Sequence, residues 1–111
     1  MGADNAVNGV PTCAWPWLLN KTARHDWGFE GYITGDCGAA RDVCSKCQDC
    51  SCPGGHHYTA SPAETVRDVL TAGMDNDCGN SEREHWPSAA AGPALLSFDL
   101  PSMFLRDCPS C

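Results

Sequence analysis

The most regular pattern of hydrophobic positions lies between residues 61 and 73. Its apolar side chains recur every three or four residues, at Ala63, Val66, Val69 and Leu70. Ser61 and Glu64 have the spacing of a capping box, and Pro62 suits the first position of a helix. Gly73 is a typical residue for the end of a helix. The pattern therefore predicts a helix that begins after Ser61 and ends at Gly73.

Weaker patterns predict the elements that precede and follow this helix. Residues 15–27 have helical spacing, and Gly28 follows them as a stop signal. The β-branched and aromatic run at 31–34 predicts a short strand, and residues 74–78 predict a further short strand or a loop. Residues 1–14 predict a loop, which could follow a very short strand. Three tryptophans are expected to pack in the core, namely Trp15, Trp17 and Trp27. The alternation of helices and strands indicates an α/β fold.

The composition limits the classes of function. The chain has 111 residues, which allows one small domain at most, and a net charge of −7. This acidic balance argues against a nucleic-acid partner, and no apolar run is long enough to span a membrane. The first residues lack the basic patch and apolar stretch of a secretory signal. The oligomeric state cannot be deduced from these features.

The cysteines offer two chemical interpretations. The chain has nine, an odd number, so internal pairing leaves at least one thiol over. Four of them crowd into a segment, 39–57, that predicts a loop, and they are Cys44, Cys47, Cys50 and Cys52. With His56 and His57 close to them in sequence, these thiols are weak candidates for zinc ligands. Local disulfides or a disordered loop are the alternatives, and we expect no cofactor.

Four separated segments carry a resemblance to a known family. They are NAVNGVPTC at 5–13, WGFEGYITGDCGA at 27–39, HHYTASPAE at 56–64 and AGMDNDCG at 72–79. In order and spacing they resemble glycoside hydrolase family 3, and within it the β-xylosidase branch most nearly. The resemblance implies an α/β fold in which residues 1–79 are the C-terminal part of a (β/α)8 TIM-type barrel domain. Relative to the family, residues 44–55 are a cysteine-rich insert, and residues 80–111 are an unassigned tail that we expect to be irregular or disordered.

The resemblance also implies a reaction. Asp36 matches the family's catalytic nucleophile, at the C-terminal end of a strand where barrel enzymes place their active sites. Retaining glycosidases need two carboxyl groups about 5–5.5 Å apart, one to attack the anomeric carbon and one to protonate the leaving oxygen. The family's acid/base glutamate lies in a later domain, so Glu64, Glu82 and Glu84 are given no catalytic role. The implied substrates are carbohydrates, with terminal β-linked xylose or glucose, as in xylan, removed by hydrolysis.

The sequence departs from the family pattern at several points. Asp4 stands where the family has a tyrosine, and Gly35 replaces a serine just before Asp36. The family's upstream Lys-His segment, which grips the sugar, has no counterpart, and a whole barrel takes about 250 residues. We therefore expect a fragment that is inactive by itself.

The resemblance leaves three further expectations. Cys37 and Cys78 lie in motifs at the same face of the barrel, so they form either a disulfide or two buried thiols. Family members are commonly secreted, which implies an extracellular location. Neither the choice among xylose, glucose and arabinose nor the binding residues for the sugar can be read from this chain.

One alternative belongs to a different class of function. The chain could be a small cysteine-rich binding or zinc module without catalytic activity, in which the hydrolase motifs are only ancestral. That hypothesis predicts a folded 111-residue chain with paired thiols or bound metal.

Overall fold

A computed structural model describes residues 1–47 and 49–79 of the chain. The prediction of an irregular or disordered tail over residues 80–111 lies outside the described residues. The strands are β1 (Ala6–Val7), β2 (Val10–Pro11), β3 (Thr34–Gly35) and β4 (Asn76–Asp77). The helical elements are a 3-10 turn (Thr12–Ala14), a π-helix (Trp17–Asp26), α1 (Ala39–Asp42) and α2 (Pro62–Ala72).

Three extended segments lie side by side and run in the same direction. β3 pairs with β4 in parallel, with Thr34 opposite Asn76 and Gly35 opposite Asp77. On the other side of β3, Gly2 forms a parallel bridge to Gly35. The π-helix lies in the connection from the Gly2 segment to β3, and α2 lies in the connection from β3 to β4, as crossovers between parallel strands usually contain a helix. The arrangement is α/β, and the sheet in the described residues is small.

α2 confirms the prediction from the capping pattern in detail. Ser61 is the N-cap, and its side chain accepts a hydrogen bond from the Glu64 N–H. The Glu64 carboxylate in turn accepts one from the N–H of Ala60, at 2.8 Å. The face that α2 buries contains Thr65, Val66, Val69 and Ala72. These contacts place the helix firmly against the core behind the strands.

Gly73 ends α2 in a left-handed conformation, with φ of 111°. A Cβ atom at this position would lie 2.2 Å from Oδ1 of Asn20, whose amide donates to the Thr71 carbonyl at 3.0 Å.

We predict that Gly73→Ala lowers the free energy of unfolding by about 1–2 kcal/mol from backbone strain alone. Displacement of the Asn20 amide adds to this loss, which urea unfolding of the full chain would measure. Gly9→Ala is the matched control, because Gly9 also has positive φ but no atom within 4 Å of the added methyl. Equal losses in the two variants would contradict the steric part of the prediction.

A partly exposed ion pair joins the π-helix to the two parallel strands. The Arg24 guanidinium pairs with the Asp75 carboxylate and donates to the Gly31 carbonyl at 3.0 Å. The same carboxylate accepts a hydrogen bond from the Ile33 N–H at 2.6 Å. Both residues are partly shielded from solvent, so the pair fixes the entry of β3 and β4 relative to the helix.

The structure corrects several predictions about local structure. The first 14 residues are not only loop, because β1 and β2 form an antiparallel hairpin around Asn8 and Gly9. Both turn residues have positive φ, at 53° and 81°, as a type I′ turn requires. The strand predicted at 31–34 is found at Thr34–Gly35, because its extent is set by pairing with Gly2 and β4 rather than by local composition.

The predicted core role of the tryptophans is wrong for two of the three. Trp17 is 53% exposed and Trp27 74% exposed, while Trp15 is partly buried with its ring centroid 5.3 Å from that of Trp17. The core forms instead from smaller side chains, including Val43, Val69 and Met74. No helix in the described part of the chain is long and apolar enough to cross a membrane.

Candidate active site at the ends of the parallel strands

Asp36 directly follows β3 and begins a tight turn. Its N–H donates to the Gly2 carbonyl at 2.8 Å, and its carbonyl accepts from the Ala39 N–H at 2.9 Å. Gly38, at the third position of this turn, has φ of 91° and ψ of −5°, which is type II geometry and requires glycine or asparagine. The Asp36 carboxylate accepts from the Cys37 N–H at 2.8 Å. The turn therefore presents a partly exposed, hydrogen-bonded carboxylate at the C-terminal end of the strands.

A disulfide closes this edge of the sheet. Cys37 and Cys78 are joined, and they are the residues that follow Asp36 and Asp77 respectively. Both cysteines are exposed, so the alternative of two buried thiols does not describe this structure. The cross-link ties the Asp36 turn covalently to the end of β4.

Asp77 is a second carboxylate in this region, and the sequence reasoning missed it. Neither of its buried oxygens has a hydrogen-bond partner among the residues that the structure describes. Burial raises the pKa of Asp77, and the charge of Asp4 raises it further. The N–H dipoles of Gly79 and Cys78, which lie near the carboxylate without meeting hydrogen-bond geometry, and the charge of Arg41 lower the pKa, but they do not outweigh burial.

This raised pKa predicts a particular dependence of stability on pH. The folded state holds the proton of Asp77 more tightly than the unfolded state, whose carboxyl has the ordinary pKa of 3.8. The contribution of Asp77 to stability is therefore fully present below pH 3.8 and is lost as pH rises through the raised pKa. Asp77→Asn stays neutral, so we expect it to be more stable than the parent above that range and equal to it at low pH.

Urea unfolding of the full chain across this pH range measures the difference. Asp49→Asn is the control of opposite sign, because hydrogen bonds from the Ser51 hydroxyl and N–H lower the pKa of Asp49. A difference between Asp77→Asn and the parent that does not change with pH would contradict the prediction.

The remaining acids near the site have other contacts. Asp4, at the family's tyrosine position, is exposed, and its backbone carbonyl accepts a hydrogen bond from Nε2 of His56 at 2.7 Å. Glu64 caps α2 and pairs with Arg67 at 3.5 Å. Glu82 and Glu84 lie outside the described residues. The contacts of Glu64 therefore give it a structural role in α2.

The cysteine-rich loop forms disulfides rather than a metal site. Cys44 pairs with Cys50, and Cys47 pairs with Cys52. Zinc binding requires free thiolates, so the zinc hypothesis for these four residues does not fit the structure. No group of three or more histidine, cysteine or acidic residues that could hold a metal ion occurs within residues 1–47 and 49–79.

Comparison with known proteins gives a consistent family of relatives. "Probable beta-D-xylosidase 7" of Arabidopsis thaliana is 45% identical over 96% of this chain and 13% of its own length. "Probable exo-1,4-beta-xylosidase bxlB" of Aspergillus flavus is 40% identical over 80% of this chain and 11% of its own length. The chain thus spans about a tenth of the length of these relatives. No protein-family model matches it.

A solved structure is similar in fold as well as in sequence. It is described as a "GH3 exo-beta-xylosidase (XlnD) in complex with xylobiose aziridine activity based probe", with a TM-score of 0.64 and 38% identity. The likeness covers 77% of this chain and 10% of that one. The Arabidopsis match covers 96% of the chain, so it extends past residue 79, where our sequence-based resemblance ended.

Proposed function

Because this chain belongs to glycoside hydrolase family 3, we propose that it supplies the nucleophile of a retaining β-glycosidase that removes terminal β-linked xylose. The observation that carries the proposal is the position of Asp36. Its carboxylate lies on a turn fixed at the C-terminal end of parallel strands, which is the edge where barrel enzymes bind their substrates. Residues 1–79 would then be the last part of the barrel, with residues 44–55 as an insert.

The proposed reaction uses Asp36 in two steps. The ionised carboxylate attacks the anomeric carbon as the bond to the leaving oxygen breaks, and that oxygen takes a proton from a carboxylic acid. Water then attacks the glycosyl ester, gives its proton to the resulting carboxylate and releases the sugar with retained configuration. Within this chain, the Cys37 N–H orients the Asp36 carboxylate through a hydrogen bond of 2.8 Å. The acid/base group must come from outside residues 1–79.

Two features support xylose and a secreted enzyme. Cysteine follows Asp36, whereas many β-glucosidase relatives have tryptophan there, and the relatives described above carry β-xylosidase names. Three disulfides lie in the described residues, which suits an oxidising compartment such as the extracellular space.

A chimaera tests the proposal directly. Residues 1–79 replace the segment with which they align in the Arabidopsis relative, and the chimaera is assayed with aryl β-xyloside and aryl β-glucoside. We expect hydrolysis of the xyloside at a rate above that of the glucoside. The controls are the unmodified relative and the same relative with this segment deleted. A folded chimaera without activity, beside an active parent enzyme, would contradict the proposal and favour the cysteine-rich module.

A further inference from the structure

The Asp77 carboxylate occupies a space that two glycines create. Asp77 lies opposite Gly35 in the parallel pair of β3 and β4. A Cβ atom on Gly35 would lie 3.0 Å from Oδ1 of Asp77, and one on Gly79 would lie 2.7 Å from its Oδ2. A side chain at Gly79 would therefore displace the carboxylate, whereas one at Gly35 would require it to shift by a few tenths of an ångström. Glycine at both positions lets an acidic side chain pack directly against the backbone.

That backbone is the one that carries the proposed nucleophile. Gly35 immediately precedes Asp36, and the Cβ position of Gly79 lies 3.4 Å from the N atom of Gly38, in the Asp36 turn. The disulfide between Cys37 and Cys78 joins the next residue of each strand. The carboxyl group of Asp77 thus lies next to the backbone of Gly35, which leads into the turn, and the residue after Asp77 is bound to the turn by the disulfide. Asp77 can therefore act on Asp36 through the main chain.

We propose that Asp77 is a positioning residue, whose buried carboxyl group holds the backbone of the Asp36 turn in the orientation that nucleophilic attack requires. The proposal rests on the proposed function, because it assigns Asp77 a part in the same reaction. A partnerless buried carboxyl group costs stability, and such a cost is typical of functional sites rather than of ordinary cores.

The sequence suggests why the carboxyl group has no partner here. Gly35 stands where the family pattern has serine, and a serine hydroxyl at this position would be close enough to donate to Asp77. The added Cβ would also approach Cε of Met74 to 2.8 Å, but this atom is the flexible end of its side chain. Gly35→Ser should therefore supply a donor to Asp77 without breaking the strand pair.

The charged groups around Asp77 come from every element next to it. Asp4 follows the Gly2 segment and raises the pKa of Asp77, whereas Arg41 on α1 lowers it. Asp36 follows β3, whose Gly35 is paired with Asp77, so an ionised Asp77 would add a negative charge at the same end of the strands as the nucleophile. We therefore expect the positioning role to need the neutral form of Asp77, which burial favours.

The test uses the chimaera and measures kcat and KM for an aryl β-xyloside across a range of pH. We expect Asp77→Ala to lower kcat at least tenfold with KM changed less than twofold, since the turn loses its support while sugar contacts remain. Asp77→Asn keeps the shape and neutrality of the carboxyl group, so its kcat should stay within about threefold of the parent. The ratio of the Asp77→Asn kcat to the parent kcat should also rise with pH, because only the parent can ionise at this position. Gly35→Ser should lose activity at a lower pH than the parent, because a hydroxyl that donates to Asp77 favours its ionised form.

A purely structural role would change only the amount of folded enzyme, and this amount can itself vary with pH, so active-site titration at each pH corrects the rates. Asp68→Asn is the matched control, because Asp68 lies on α2 and pairs with Arg67. Two results with an active parent chimaera would overturn the positioning role and leave the proposed function standing. One is a kcat of Asp77→Ala within twofold of the parent, and the other is a ratio of the Asp77→Asn kcat to the parent kcat that does not change with pH. An inactive parent chimaera beside an active Arabidopsis enzyme overturns the proposed function and this role together.

Discussion

Asp36→Asn should reduce the turnover of aryl β-xyloside by the chimaera at least about a thousandfold. Asparagine keeps the shape of the side chain and can still accept the hydrogen bond from the Cys37 N–H. It cannot form the covalent glycosyl ester, because the amide is a poor nucleophile. The loss should appear in kcat, with KM little changed, since the variant retains the contacts that hold the sugar.

The matched control is Asp42→Asn, six residues further along the chain. Asp42 belongs to α1, and its carboxylate contacts the Arg41 guanidinium at 3.3 Å rather than the Asp36 turn. We expect it to keep activity within about twofold, as substitutions away from functional groups usually do.

A chemical rescue separates the nucleophile from other essential acids. In Asp36→Ala, azide can enter the space that the carboxylate leaves and attack the anomeric carbon itself. The product would be the glycosyl azide of inverted configuration, because only one displacement then occurs. Full activity in Asp36→Asn, or a rescue product of retained configuration, would contradict the assignment.

Removal of the Cys37–Cys78 disulfide should cause the largest loss of stability among the disulfides of the described residues. It joins residues 41 apart, whereas Cys47–Cys52 joins residues 5 apart. The loss of chain entropy in the unfolded state grows with the length of the closed loop. The double variant Cys37→Ser/Cys78→Ser should therefore lose about 4 kcal/mol of unfolding free energy, against about 2 kcal/mol for Cys47→Ser/Cys52→Ser.

Urea unfolding of the oxidised full chain measures both losses, after mass mapping under non-reducing conditions has established the pairs. The short-loop variant serves as the control, since it also replaces two cysteines by serines. Equal losses, or mapped pairs that differ from these, would contradict the prediction. In the chimaera the long-loop variant should also lower kcat, because the disulfide holds the end of the turn that carries Asp36.

Local sequence signals were sufficient where one segment contains all of its own determinants. α2 is the clearest case, because its cap, its first proline and its terminal glycine lie within 13 consecutive residues. The hairpin of β1 and β2 had an equally local signal in Asn8-Gly9, but its strands of two residues are too short to show alternation. Strand β3 was misplaced because its hydrogen bonds go to Gly2 and β4, which are distant in sequence.

In the candidate site, too, the sequence identifies residues with local determinants and misses those whose surroundings are formed by distant segments. Asp36 could be found from the motif around it, since the residues that identify it are contiguous. Asp77 could not, because its buried environment is made by Gly35 and Gly79 and depends on the pairing of two strands. The pairing of Cys44, Cys47, Cys50 and Cys52 also needs three dimensions, because four cysteines allow three connectivities.

The most direct test of the central claim is to locate the covalent intermediate. The xylobiose aziridine probe described for the related structure is incubated with the chimaera, which is then reduced, digested with trypsin and analysed by mass spectrometry. Cleavage after Arg24 and Arg41 releases Asp36 on a peptide that contains neither Asp4 nor Asp77. We predict one sugar adduct, on Asp36, and none in Asp36→Asn. An adduct on Asp4 or Asp77, or no adduct while the unmodified Arabidopsis enzyme is labelled, would contradict the account.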